Sequence, residues 1–206
     1  RYIAGFRLFS NHCVVLERAD ARPRLWIHDF DADKATEVTF DEAAFALDFG
    51  DNREFDTKQV RIEYESLVTP ESVIDIELET GKRTVRKVQD IPSGYDATRF
   101  ESHRVWAKAP DGASIPVSVV KPKALRDQAT PLYLYVYGAY GITVEPYFSA
   151  SRLSLLERGV AFAIAHVRGG SMCGRRWYEA GKKLWKRNTF DDTIAAAEAL
   201  VEQGFT

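Results

Sequence analysis

Cysteine, methionine and histidine are scarce in this 206-residue sequence, with two, one and four residues respectively. Cys13 and Cys173 lie far apart, so no disulfide framework is encoded and a reducing compartment, the cytoplasm, is expected. Neither they nor the scattered His12, His28, His103 and His166 have metal-ligand spacing, so no metal site is expected. An excess of one charge is also missing. Lys and Arg number 28 against 30 Asp and Glu, for a net charge of −2, which gives no electrostatic case for nucleic acid or an anionic membrane. No run approaches the roughly 18 apolar residues of a membrane span. No signal peptide is legible, although Arg1 already stands inside a strand-like pattern. Two catalytic signatures are absent as well. G-x-S-x-G occurs nowhere, and Gly169-Gly170-x-x-x-Gly174 lacks both the Lys-Ser/Thr ending of a phosphate loop and the dinucleotide spacing.

What is present is an ordinary globular composition, 45% hydrophobic and 28% charged, long enough for one or two domains. Residues 1–88 read as short strands: Tyr2–Phe9, Cys13–Glu17, Arg24–Phe30, Thr36–Phe40, Phe45–Phe49, Val60–Ser66, Ser72–Leu78 and Arg83–Val88. Arg61-Ile62-Glu63-Tyr64-Glu65 alternates cleanly, and Glu79-Thr80-Gly81-Lys82 is a turn. Strands at such spacing suit a sandwich, a barrel or propeller blades, with room for about two blades of about 40–45 residues. Two blades cannot close a ring, so a piece of a longer protein is expected. Such a piece exposes sheet edges and apolar surface to itself or to its missing remainder.

Residues 89–97, with Pro92 and Gly94, read as a linker. From residue 98 the pattern changes. Arg104–Ala109 and Ala113–Val120 form a hairpin around Asp111-Gly112, with Pro116 pushing the second strand to a sheet edge. Pro131–Tyr137 reads as a strand buried on both faces, followed by a helix over Phe148–Glu157 and a second buried strand over Val160–Val167. A polar helix over Arg175–Lys186 comes next. The last helix takes Thr189 as N-cap and carries a stripe of Phe190, Ile194, Ala197 and Val201. The expected fold class is therefore all-β up to residue 88, then α/β over residues 98–206.

Four features compete for the chemistry. Ser171 sits on the turn Ala165–Gly174, "AHVRGGSMCG", where a strand meets a helix, as a nucleophile elbow would. Cys173 stands where the elbow needs its second glycine, so Ser171 reads as incidental. Tyr137, opening Tyr137-Gly138-Ala139-Tyr140-Gly141, stands at the C-terminal end of a sheet strand, where ligands of open α/β sheets bind. Its phenol could donate to a developing oxyanion, and the alternative is an aromatic turn with left-handed glycines. Glu145 could attract a cationic group, or be a solvated surface carboxylate. The basic run Lys182–Arg187 reads as an amphipathic helix surface.

The stretch from "YVYGAYGITVEPYFSASRLSLLERG" through "VAFAIAHVRGGSMCGRRWYEAGKKLWKRNTFDDTIAAAEAL" resembles the prolyl oligopeptidase family of serine peptidases, in its oligopeptidase B (protease II) branch. The likeness extends upstream through "SGYDATRFESHRVWAKAPDGASIPVSVV" and "YESLVTPESVIDIELETGKRTVRK", and is weakest over the first 55 residues. It implies the C-terminal blades of a seven-bladed β-propeller at 1–88, followed at 98–206 by the N-terminal part of an α/β-hydrolase domain. It implies cleavage of short basic peptides by a Ser, Asp, His triad lying beyond residue 206, without metal or organic cofactor. Tyr137 matches the family's oxyanion tyrosine. Glu145 matches the first of two acidic residues favouring a basic residue at the second subsite. Tyr147 occupies the second of these positions, which weakens that preference. Met172 stands where the family's R-G-G-G/S-E-x-G has glutamate. A prolyl-specific peptidase of the same family and a non-catalytic propeller-containing binding protein are the alternatives.

Overall fold

Residues 2–88 fold as two antiparallel four-stranded meanders in the computed structural model, which describes residues 1–206. The first is β1 (Tyr2–Leu8), β2 (His12–Ala19), β3 (Arg22–Asp29) and β4 (Lys34–Val38). The second is β5 (Phe45–Phe49), β6 (Gln59–Ser66), β7 (Ser72–Glu77) and β8 (Arg83–Val88). Period-2 alternation sends Val14 and Leu16 of β2, and Val60, Ile62 and Tyr64 of β6, to one side of their sheets. There they join Leu25, Leu47 and Ile76 in a single core shared by both meanders.

The third sheet holds β9 (Phe100–Lys108), β10 (Ser114–Pro122), β11 (Leu132–Val136) and β12 (Ala161–Ala165), in the order β11-β12-β10-β9. Only β11 and β12 run parallel. Helix α1 (Ala150–Leu156) covers one face, where Leu153 and Leu156 pack with Phe148, Phe162 and Ile164. Leu67 and Val68, from the β6–β7 connection, enter the same cluster and tie the second meander to this sheet. Helix α3 (Arg187–Glu202) covers the other face through Ala196, Ala199 and Leu200. The architecture is thus all-β followed by α/β, as the strand and helix patterns indicate.

Five expectations need correction. Pro116 does not mark an edge, because β10 lies inside the sheet between β9 and β12. The paired register of Val117 with Ala165 sets Pro116 opposite His166. The His166 amide donates to the Pro116 carbonyl at 2.9 Å, but proline has no N–H to return. The indole N–H of Trp177 supplies it instead, donating to the His166 carbonyl at 2.9 Å. Proline is tolerated here because a side chain from the following helix replaces its missing donor. Strand β11, in turn, is a sheet edge and only half buried, with Tyr133 exposed.

The polar helix breaks in two. Helix α2 (Arg175–Glu179) stops before a short 3-10 turn at Lys183–Trp185. Between them Gly181 lies against the backbone of Arg168 and Gly169, where a Cβ would come within 2.2 Å of the Gly169 nitrogen. Such packing of backbone on backbone interrupts the helical path. Helix α3 begins three residues earlier than a Thr189 cap would allow, and Thr189 is buried inside its first turn. Its expected stripe faces outward. Phe190, Ile194 and Val201 are exposed, while Ala195, Ala196, Ala199 and Leu200 lie on the sheet. Small side chains let the helix approach the strands closely, so alanines rather than the larger apolar residues select the buried face.

Replacing Trp177 by Phe leaves the His166 carbonyl without its donor, at a cost of about 1–3 kcal/mol. Urea unfolding of the 206-residue chain is expected to show that loss. Pro116→Ala added to Trp177→Phe restores a backbone N–H to the same carbonyl. The double variant is therefore expected to be more stable than Trp177→Phe alone, with a non-additive cycle.

Candidate functional site

The turn after β11 is built on glycines that nothing else can replace. Gly138 has φ +63, and a Cβ there would lie 2.5 Å from the Thr189 methyl and 2.6 Å from Val167. A Cβ on Gly169 would lie 2.1 Å from the Gly138 carbonyl oxygen. Three backbone segments, at Gly138, Gly169 and Gly181, are therefore stacked in direct contact. The Gly141 amide donates to the Gly169 carbonyl at 2.9 Å, and the Lys186 ammonium donates to the Gly138 carbonyl. Tyr137 stands at the mouth of this turn, 41% exposed, past the C-terminal end of β11.

Arg168 fixes the turn from behind. Its backbone N–H donates to Asp192 at 2.8 Å, and its Nε and Nη2 donate to the same carboxylate at 3.0 and 2.6 Å. Nη1 donates to Asp111, in the β9–β10 hairpin, at 2.5 Å. The Arg168 carbonyl accepts from the Thr189 hydroxyl at 2.7 Å. These bonds to Asp192 and Asp111 hold the guanidinium charged well beyond its usual range, and Arg168 in return keeps Asp111 below the ordinary carboxylate range. Asp192 is fully buried.

A second cluster lies between the first meander and the third sheet. Arg18 of β2 donates through Nη2 to Glu145 Oε1, and its Nη1 lies 3.1 Å from the Met172 sulfur. Met172 is 2% exposed, so the position at which a glutamate was anticipated holds an apolar side chain against an arginine. Arg104 lies nearby with all three guanidinium nitrogens buried and without a hydrogen bond. Burial, reinforced by Arg18, pulls its pKa down to about 10. Burial raises Glu145, against the pull of Arg18. Tyr147, the other anticipated subsite residue, is exposed and turns its ring towards the Arg152 guanidinium, 5.0 Å away, so the structure does not bring it to Glu145's partner.

Ser171 has no base. The nearest imidazole in sequence, His166, bonds through Nε2 to the Ser118 hydroxyl at 2.7 Å. That Ser–His pair looks like a nucleophile and its base, but both residues are buried in the sheet. Burial, reinforced by Arg104 and Arg18, holds His166 well below its normal pKa, and no carboxylate orients it. The pair is a structural hydrogen bond without substrate access. Arg18, Arg104 and Asp192 are the contributors that the sequence did not disclose. Arg18 and Asp192 act through partners distant in sequence, Arg104 has no hydrogen-bond partner, and only the R-G-G of Arg168–Gly170 gave a local sign.

Cys13 and Cys173 are free thiols, and no helix is long and apolar enough to cross a membrane.

Comparison with known proteins places these features in context. The profile described as "Prolyl oligopeptidase, N-terminal beta-propeller domain" matches residues 1–89, and that of the "Prolyl oligopeptidase family" matches residues 146–206. Dipeptidyl aminopeptidase BI of Pseudoxanthomonas mexicana is 42% identical over 206 residues, covering 99% of this chain and 28% of that protein. Protease 2 of Moraxella lacunata is 36% identical over 208 residues, covering 100% of this chain and 30% of the relative. Among solved structures, oligopeptidase B from Leishmania major superposes with a TM-score of 0.86 at 39% identity, over 99% of this chain and 30% of that one. Oligopeptidase B from Trypanosoma brucei, with covalently bound antipain in a closed form, gives 0.87 at 36% identity over the same shares, 99% and 30%. The chain thus spans under a third of the length of these relatives.

Burial in the second cluster pushes the Cys173 thiol up to about 11, from 9.0 in a free thiol. The folded state therefore keeps a proton that the unfolded state gives up first. The stability owed to this group falls as pH rises from 9 towards 11. At pH 8 the folded thiolate fraction is about 100-fold below that in urea. Iodoacetamide labelling, read at the Cys173 peptide by mass spectrometry, is expected to be slower in the native chain by a factor of that order.

Proposed function

The chain belongs to the prolyl oligopeptidase family, and from that premise we propose that it is the junction of a longer serine oligopeptidase, carrying its oxyanion tyrosine and part of its substrate cleft. The observation that carries this reading is the placement of Tyr137. It stands half exposed beyond the C-terminal end of a strand, on a turn whose backbone is locked by Gly138, Gly169 and Lys186. In acyl transfer a phenol held there donates to the oxyanion as charge develops, and a preorganised donor is worth most at that moment. The nucleophile, its base and the base's orienting carboxylate come from the remainder of the enzyme. No step requires a metal or organic cofactor.

Substrates are short peptides cleaved after Arg or Lys, in the cytoplasm. Glu145 contributes a carboxylate beside the cleft, and Tyr147 in place of a second acid weakens selection for a second basic residue. A second reading comes from the 42% identical relative named dipeptidyl aminopeptidase BI. Release of dipeptides would direct the same carboxylate to a substrate's free α-ammonium rather than to a basic side chain.

The test is hydrolysis of chromogenic peptides by the full-length enzyme, with Arg, Lys or Pro at the cleaved position and with free or acetylated N-termini. Arg and Lys substrates are expected to be preferred, whereas a Pro preference would overturn the specificity reading. Tyr137→Phe is expected to lower kcat by about 10²-fold with a modest change in KM. Wild-type kcat in that variant would rule out the oxyanion role. The 206-residue chain alone is expected to have no peptidase activity.

A further inference from the structure

Arg18 and Glu145 together line an open cavity of about 410 Å³ between the first meander, β5 of the second and the loop after β11, with the exposed Arg7 also on its wall. Two more carboxylates, Glu17 and Asp48, line the same cavity. Glu17 is already engaged: it accepts from Arg1 at 2.6 Å and from the Trp26 indole at 2.9 Å. Asp48 is exposed and accepts from the Phe49 amide at 2.7 Å. Glu145 is different. Its Oε1 takes Arg18, while its Oε2 is buried with no partner at all.

Arg18 has little else to hold. Its Nη1 faces the neutral Met172 sulfur, and its Nε is buried without a partner. Arg104, the other buried guanidinium of the cluster, offers only like charge. Glu145 is therefore the one carboxylate answering two arginines. A cation entering the cavity meets a carboxylate whose charge the protein itself has already neutralised.

We propose that Arg18 is a specificity-determining residue, an internal cation that occupies Glu145 and withholds it from the cationic group of an incoming peptide. Its meaning for catalysis rests on the peptidase reading above, whereas the competition for Glu145 is a property of this chain. Removing Arg18's charge, or giving Arg18 another carboxylate at position 172, uncovers a cation site. The cation can be a guanidinium side chain or a terminal ammonium, and Glu145 is the group that binds either.

The experiment titrates the 206-residue chain with two probes, N-acetylarginine amide and alanylalanine amide, and follows binding by calorimetry. The first carries only a guanidinium and the second only a terminal ammonium. Arg18→Met and Met172→Glu are each expected to bind at least one probe about tenfold more tightly than the original chain. Glu145→Gln added to either variant is expected to abolish the gain. The favoured probe identifies the source of the cation. Should Arg18→Met fail to fold by circular dichroism, Met172→Glu carries the test, since it adds a counter-charge to a cluster rich in arginine. No gain in a folded variant, the outcome if Arg104 closes on Glu145 in place of Arg18, overturns the proposal. So does a gain that survives Glu145→Gln. In the full-length enzyme, Arg18→Met is expected to raise kcat/KM for Arg over Ala at the second position, mainly through KM. If the probes bind the variant chain and the enzyme cleaves no basic peptide, the peptidase reading fails and the role of Arg18 stands.

Discussion

The α/β part of this chain hangs on one ion pair, Arg168 with Asp192. A carboxylate with no solvent access is costly to bury unless its charge is met by several well-placed donors. Asp192 receives three donor groups from a single residue: the backbone N–H, Nε and Nη2 of Arg168. This fixes the segment just after β12 onto the second turn of α3. The remaining arm of the guanidinium reaches Asp111 and adds the β9–β10 hairpin to the same joint. Thr189, one helical turn before Asp192 on α3, then closes on the Arg168 carbonyl. The glycine stack at 138, 169 and 181 follows from this arrangement, because the backbone of residues 168–169 is held where only glycines can meet it. Tyr137 directly precedes that stack, which fixes the backbone that carries it.

How much of this was legible in the sequence depended on the range of the cause. The eight strands of the meanders and the α/β order could be read because alternation and turn chemistry are local. Val60, Ile62 and Tyr64 face inward as their spacing indicates. Pro116 misled because its missing donor is replaced by Trp177, a residue whose approach no local pattern announces. Tyr137 and Glu145 were singled out through position and resemblance. The partner of Glu145 was not, since Arg18 lies 127 residues away in a strand whose own alternation says nothing about the other sheet.

The face of α3 is a case in which the usual rule reverses. Phe190, Ile194 and Val201 make the stronger hydrophobic stripe, yet the alanine face is the one against the sheet. The carboxylate of Asp192 settles this. It must point inward to meet Arg168, and its neighbours on that side of the helix are Ala195, Ala196 and Ala199. Charge pairing thus sets the rotation of the helix, and small side chains then allow close contact. A helix apolar on both sides is suited to being covered on both sides. The same holds for the exposed Tyr133 of β11, whose free edge and outer side chain match no solvent-facing pattern.

The two arginine centres of the molecule solve the same problem in opposite ways. Arg168 has carboxylates on two sides and every polar atom engaged, so it can only hold structure. Arg18 and Arg104 share one carboxylate and leave nitrogens unpaired, and the position that could balance them carries Met172. A saturated pair has no capacity left for a ligand. An unsaturated one changes partners when a better-placed charge arrives, because the donors and acceptor it leaves unpaired already carry the cost of burial. That asymmetry separates the scaffold of the Tyr137 turn from the cluster around Glu145. The neutral side chain at position 172 leaves Arg18 no carboxylate other than Glu145.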